Sequence, residues 1–314
     1  MASISLLEKL KDSLTEDPTT WKDSSLLSVT QITPAGLTLL METAKEMKSI
    51  VREKGGDNRL QHKVLATVFY EASTRTSCSF QAAMQRLGGT VIHVDGQGNS
   101  SANKKGESLT DTIRCLQCYS DVTVLRHPVE GSVGQAIEAC QKPVVNAGDG
   151  TGEHPTQALL DVFTICDELH DHLVANKKEK STIVLLGDLK HGRTVHSLAK
   201  LLARSGMAVK LRYCSPESLA MPEYVKDYVA GCNVEQEEIN DLNDAIHGAN
   251  VLYVTRVQKE RFESQGAYDS VKVCSCLETT GRLLPEHRIC TNVYRNITHP
   301  LYSLIRDPIS STPN

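Results

Sequence analysis

Apolar runs of strand length alternate with stretches of helical period along most of this chain, and that alternation restricts the folds open to it. The strand candidates are VLATVFY (64–70), TVIHV (90–94), DVTVL (121–125), PVVN (143–146), TIVLL (182–186), AVKLRY (208–213) and VLYV (251–254). Helical patterns fall near 34–53, 75–87, 108–119, 132–140, 155–170, 193–204 and 222–230. Strands separated by helices are joined by right-handed crossovers, which build parallel sheets covered on both faces. At 314 residues the chain is long enough for two such cores. The long helix at 155–170 and the charged NKKEKS after it read as a bridge between two sheets. The expectation is an α/β fold of two domains, each a parallel β-sheet flanked by helices, the first spanning 1–155 and the second 156–314. No internal repeat or low-complexity tract interrupts the pattern.

Composition excludes several classes. With 34 basic and 38 acidic residues the net charge is -4, which argues against a general nucleic-acid or membrane-surface binder but allows a local basic pocket. The N-terminal MASISLLEKLKDSLTEDP mixes acids with bases and has no long apolar core, so neither a signal nor a transit peptide is expected. No apolar run approaches the roughly 20 residues of a membrane span. Ten cysteines without a secretory signal fit reduced thiols in a cytoplasmic protein. CLQC, at Cys115 and Cys118, has a metal-like spacing but no second pair at a matching distance. Its helical pattern would place both thiols on one face as buried or half-buried packing, and CSC at Cys274 and Cys276 reads as strand alternation. No metal is expected.

In open parallel sheets, ligands bind outside the carboxyl ends of the strands. STRT (Ser73, Thr74, Arg75, Thr76) follows the first strand, and RHP, beginning with Arg126, follows the third. AGDGTGEHPTQ, with His154 and Gln157, follows the fourth; GDLKHGRT, with Arg193, follows the fifth; TRVQ, with Arg256 and Gln258, follows the last. One hydroxyl at a helix start is often only a cap. Five strand ends rich in Arg, His, Gln or hydroxyls point to an anion site. A helix start has unpaired N–H groups and about half a positive charge, so hydroxyls and an arginine there form a phosphate cradle. Pro155 suits a first helical position, which puts His154 at the cap and Gln157 one turn in.

Two stretches carry competing readings. VDGQGNSSANKKGES (94–108) is a solvated surface loop, or else a lid that delivers a lysine to an anion. GDLKHGRT is one residue away from the phosphate-loop pattern G-x-x-x-x-G-K-S/T. Arg193 replaces the lysine, and Asp188, Leu189, Lys190 and His191 are not the small residues a phosphate nest prefers, which argues against a nucleotidase. A planar guanidinium better suits bidentate grip of a carboxylate.

FYEASTRTSCSF, KKGESLTDT, LRHP, NAGDGTGEHPTQALLDVFTI, GDLKHGRTVHSLAKLL and TRVQKERF resemble, in order and approximate spacing, the aspartate carbamoyltransferase catalytic chains over residues 25 to 262. The resemblance implies two α/β domains, one for carbamoyl phosphate and one for aspartate, assembled as a homotrimer. The implied reaction carries carbamoyl from carbamoyl phosphate to L-aspartate, early in pyrimidine biosynthesis, with no cofactor or metal. By motif, Ser73, Thr74, Arg75 and Thr76 would hold the phosphate, and Arg126 would bridge phosphate and carbonyl oxygen. Thr76, Arg126 and His154 would stabilise the oxyanion, each donor typically worth about 3 kcal/mol, and Gln157 would orient the carbamoyl nitrogen. Arg193, Arg256 and Gln258 would bind the aspartate carboxylates. Ser101 and Lys105 would enter a neighbouring subunit's site, with Lys105 touching both substrates. Other pyrimidine-pathway enzymes are implied as further partners, and neither nucleic acid nor membrane is.

Beyond about residue 262 the likeness ends. The family carries a His-Pro-Leu-Pro-Arg segment lining the site, followed by a long terminal helix. Here THPLYSLIRDPISSTPN keeps His299, Pro300 and Leu301, a residue that would line the site, but Tyr302 replaces the second proline. That departure supports an alternative of another class: a silent homologue acting through ligand or subunit binding. An ornithine carbamoyltransferase would show a His-Cys-Leu-Pro segment, which is absent from the sequence.

Overall fold

A computed structural model describes residues 2–96, 105–169, 180–255 and 288–291. Their contacts separate into two units, one reaching Gly152 and the other beginning at Glu153. Each unit is built on a parallel sheet, and every strand expected from the apolar runs is present.

In the first unit the strands are β1 (Val64–Phe69), β2 (Thr90–Asp95), β3 (Val122–His127) and β4 (Val144–Asp149), in the order β2-β1-β3-β4. The helices are α1 (Ala2–Leu10), α2 (Pro34–Lys54), α3 (Thr74–Arg86), α4 (Leu109–Leu116) and α5 (Ser132–Ala139). The alternation of side chains along β1 divides the core between two faces. Ala66 and Val68 pack with Ile113 and Leu116 of α4 and Val133 and Ala136 of α5, and Leu6, Leu7 and Leu10 of α1 join that cluster. Leu65 and Phe69 point the other way, toward Met84 of α3 and Val124 of β3. Local chemistry sets the bounds of α2: the Thr33 hydroxyl accepts the Gly36 N–H at 3.0 Å, Pro34 takes the first position, and Gly55 ends the helix at φ 77°.

The second unit has the order β7-β6-β5-β8-β9, from β5 (Ser181–Leu186), β6 (Val209–Cys214), β7 (Glu235–Glu238), β8 (Val251–Val254) and β9 (Arg288–Thr291). Its helices are α6 (Pro155–Glu168), α7 (Arg193–Arg204), α8 (Glu223–Gly231) and α9 (Leu242–Ile246). Most of α7 is buried, including Val195, Leu198, Leu201 and Leu202. β7 was not expected, because EQEE has no apolar residue. Charge holds it: Lys210 on β6 lies 3.0 Å from both Glu235 and Glu237, and Arg212 Nε lies 2.6 Å from Glu237. In this register Lys210 pairs with Glu235 and Arg212 with Glu237, so opposite charges share one face of an edge strand.

The thiols depart from expectation. Cys115 and Cys118 are both exposed. The buried face of α4 carries Thr112, Ile113 and Leu116, which turns Cys115 outward, and the helix stops before Cys118 is reached. Cys274 and Cys276 lie outside the described residues. No helix among the described residues is long and apolar enough to cross a membrane.

Replacing the fully buried Leu201 by alanine removes core volume in α7. The expected cost is about 2–5 kcal/mol, read as a lower urea midpoint at unchanged slope.

Candidate functional site

In the first unit, strand register gathers several candidate site residues. β1 and β3 pair so that Phe69 faces Arg126, and the Tyr70 N–H donates to the Arg126 carbonyl at 2.9 Å. The chain leaving β1 therefore starts beside the end of β3, four residues before α3 begins at Thr74. Arg126 Nε donates to Glu71 Oε2 at 2.9 Å, and its Nη1 lies 3.5 Å from Ser73 Oγ. These two charged side chains are 16% and 24% exposed, so the pair is partly shielded and fixes the plane of the guanidinium.

Ser73 stands at the cap of α3, yet its side chain makes no capping hydrogen bond. A purely structural cap would have used that oxygen. Thr74 and Arg75 are exposed and Thr76 is half-buried. The first turn of α3 carries no acidic residue, so its positive end is uncompensated by side chains of its own turn. His127, next to Arg126, is half-buried against Tyr70 with ring centroids 4.9 Å apart. Its Nδ1 accepts the Val129 N–H at 3.1 Å, and burial lowers its pKa, favouring the neutral ring. Lys105 is exposed.

The second unit holds the other described candidates. His154 precedes α6, with Pro155 at the first helical position, as the sequence pattern required. The His154 N–H donates to Ser197 Oγ on α7 at 3.2 Å, and its Nδ1 lies 3.3 Å from Thr156 Oγ1. Gln157 Nε2 donates to Asp161 Oδ1 at 2.9 Å. Asp161 is buried, and its Oδ2 accepts the Tyr253 hydroxyl of β8 at 2.9 Å. Burial pushes the Asp161 carboxyl up to about 7, against the pull of hydrogen bonds from Gln157 and Tyr253. Beside them, Lys200 of α7 pairs with Glu153 at 3.1 Å.

Arg193 opens α7 and is buried. Side chains, rather than open backbone N–H groups, build the turn before it. Gly187 has φ +113°, and a Cβ there would lie 2.5 Å from the Thr255 carbonyl. Asp188 is fully buried and accepts the His191 N–H at 2.9 Å. His196 Nε2 lies 2.6 Å from the Leu189 carbonyl and its Nδ1 lies 3.1 Å from the Tyr224 hydroxyl. Burial lowers the His196 pKa, which favours a neutral ring donating to Leu189. With the Asp188 carboxylate filling this turn, it is no phosphate nest, in agreement with the sequence pattern. Ser101, Arg256, Gln258 and Leu301 lie outside the described residues.

Glu71, Asp161 and Tyr253 were not singled out from sequence, and Asp188 was named only as too large for a phosphate nest. Only Asp161 left a usable signal, four residues after Gln157 on one helix face.

Two family profiles match the chain: "Aspartate/ornithine carbamoyltransferase, carbamoyl-P binding domain" over residues 24–167 and "Aspartate/ornithine carbamoyltransferase, Asp/Orn binding domain" over residues 179–280. The chain belongs to the aspartate/ornithine carbamoyltransferase family, among its aspartate carbamoyltransferase catalytic chains. It is 44% identical over 250 residues to the aspartate carbamoyltransferase catalytic subunit of Thermoplasma volcanium, covering 80% of this chain and 79% of that one. It is 51% identical over 247 residues to the multifunctional protein pyr1-3 of Dictyostelium discoideum, covering 79% of this chain and 11% of that protein. The chain thus spans about a tenth of the length of that relative and of the multifunctional protein CAD of Squalus acanthias. Aspartate transcarbamoylase from Trypanosoma cruzi, solved in complex with carbamoyl phosphate and aspartate, superposes with a TM-score of 0.77 at 37% identity, covering 90% of this chain and 89% of that one.

Two measurements test this geometry. Gly187→Ala forces a side chain into a positive-φ position against the Thr255 backbone, and a loss of more than about 1 kcal/mol of stability is expected in urea unfolding. Asp161 gives the second test, since its pKa rises from an ordinary 3.8 to about 7 on folding. Between those values the folded chain binds more protons, so this group's contribution is fully present below the lower value and is lost as pH rises through the upper one. Urea midpoints should therefore fall from pH 5 to pH 8 more steeply in the wild type than in Asp161→Asn.

Proposed function

We propose that this chain transfers the carbamoyl group of carbamoyl phosphate to the α-amino group of L-aspartate, giving N-carbamoyl-L-aspartate and phosphate in pyrimidine biosynthesis. The observation that carries the reading is the start of α3, where Ser73, Thr74, Arg75 and Thr76 stand beside an Arg126 held by Glu71. N–H groups, hydroxyls and a guanidinium at a helix start suit a phosphate dianion. Arg126 reaches the phosphate and the carbonyl oxygen, while Thr76 and His154 donate to that oxygen as it gains charge. Gln157 meets the carbamoyl nitrogen. Arg193, with Arg256 and Gln258, grips the two aspartate carboxylates.

The amine nitrogen adds to the carbonyl carbon to give a tetrahedral oxyanion, which collapses as the bond from that carbon to the bridging phosphate oxygen breaks. The departing phosphate accepts the amine proton. No side-chain nucleophile is needed, so positioning and charge stabilisation supply the rate. Ser101 and Lys105 come from a neighbouring copy in a homotrimer, and Leu301 lines the site. The protein works in the cytoplasm, in association with other pyrimidine-pathway enzymes, as the multifunctional relatives suggest.

The family match runs on to residue 280, past the point near 262 where the motifs stop, and the sequence beyond it favours one competing reading, a homologue that binds ligand without turnover. Initial rates of N-carbamoyl-aspartate formation separate the two. Under the proposal the wild type turns over and Arg75→Ala loses about 100-fold or more. A folded wild type that binds carbamoyl phosphate but matches the variant's rate would leave the silent reading standing.

A further inference from the structure

Asp161 follows Gln157 by four residues on α6, so their side chains share one face of the helix. Both oxygens of the buried carboxylate accept a hydrogen bond, Oδ1 from Gln157 Nε2 and Oδ2 from the Tyr253 hydroxyl, each at 2.9 Å. Above its raised pKa of about 7 the Asp161 carboxyl is ionised, and an ionised carboxylate accepts and cannot donate. The Gln157 amide must therefore turn its NH2 group toward Asp161, which leaves Oε1 to meet whatever lies beyond. Flipping the amide would set two acceptor oxygens against each other in a buried place, where an unpaired polar group is costly. Tyr253, 1% exposed, ties the second oxygen to β8, so the carboxylate is anchored by an element other than the one that bears Gln157.

We propose that Asp161 is a positioning residue that locks the Gln157 amide with its oxygen outward, making the chain selective for a ligand that offers Gln157 an NH2 group over one of similar shape that offers a methyl group. The inference rests on the carbamoyl phosphate reading above, in which Gln157 faces the carbamoyl nitrogen. The informative pair is carbamoyl phosphate and acetyl phosphate, which differ by NH2 against CH3. The NH2 group donates to Oε1, whereas the methyl group leaves that acceptor dry and unpaired, the situation in which a polar site discriminates strongly.

The test is titration calorimetry at pH 8 with carbamoyl phosphate, acetyl phosphate and inorganic phosphate, on the wild type, Asp161→Asn, Gln157→Met and the double variant. The wild type should favour carbamoyl over acetyl phosphate by about tenfold or more. In Asp161→Asn the new amide can donate to Gln157 while still accepting from Tyr253, so Gln157 is free to flip. The ratio should then narrow to about threefold or less, with inorganic phosphate binding unchanged. Gln157→Met should narrow it equally, and adding Asp161→Asn should change nothing further. A phosphate-competent Asp161→Asn that keeps the wild-type ratio overturns the proposal, as does an Asp161→Asn effect that persists beside Gln157→Met. If Asp161→Asn no longer binds inorganic phosphate, the wild type at pH 6, where the protonated carboxyl can donate to Gln157, takes its place: a ratio the same at pH 6 and pH 8 overturns the proposal, as does a preference retained in Gln157→Met. A wild type that binds carbamoyl phosphate no better than inorganic phosphate instead removes the carbamoyl phosphate reading, and this inference falls with it.

Discussion

The parallel register that sets Phe69 opposite Arg126 brings Glu71 and Ser73 to the Arg126 guanidinium in the first unit. Parallel strands leave a sheet from the same edge, so the chain after β1 and the end of β3 meet without either loop having to fold toward the other. Glu71 and Ser73 then fall within reach of the Arg126 guanidinium. A slip of one residue would turn β3's side chains to opposite faces and separate Arg126 from both partners. The cores on the two faces of β1 oppose that slip, since Ala66 and Val68 must meet α4 and α5 while Leu65 and Phe69 must meet α3.

Carboxylates organise the candidate site residues. Glu71 aims Arg126, Asp161 holds Gln157, and Asp188 fills the turn that precedes Arg193. A buried carboxylate is costly unless its oxygens are hydrogen-bonded, so Asp161 and Asp188 have few stable arrangements and impose them on their partners. The raised pKa of Asp161 is the thermodynamic trace of that cost. His196 takes a similar part as a neutral ring, tied to the Leu189 carbonyl and the Tyr224 hydroxyl.

Much of this was legible in the chain. The apolar runs located seven strands, most of them because a parallel strand buried on both faces must be apolar, although β2 lies at a sheet edge and is largely exposed. The proline of HPTQ located the start of α6, and STRT located the start of α3. β7 was not legible, because Glu235–Glu238 pairs through charges that only Lys210 and Arg212 across the sheet make favourable. The exposed thiols of Cys115 and Cys118 were misjudged because α4 buries the face of Thr112, Ile113 and Leu116, which leaves Cys115 outward, and ends before Cys118.

The sequence by itself determined the parallel α/β architecture, the order of its elements and the residue types at each strand end, since hydrophobic period and helix-start chemistry are local properties. Tertiary structure alone decided which polar side chains distant in sequence meet. Glu71 and Arg126 are 55 residues apart, and Asp161 and Tyr253 are 92 apart. No local pattern encodes such pairs. They arise because strand register brings distant segments together in places dry enough that each buried polar group must find a partner.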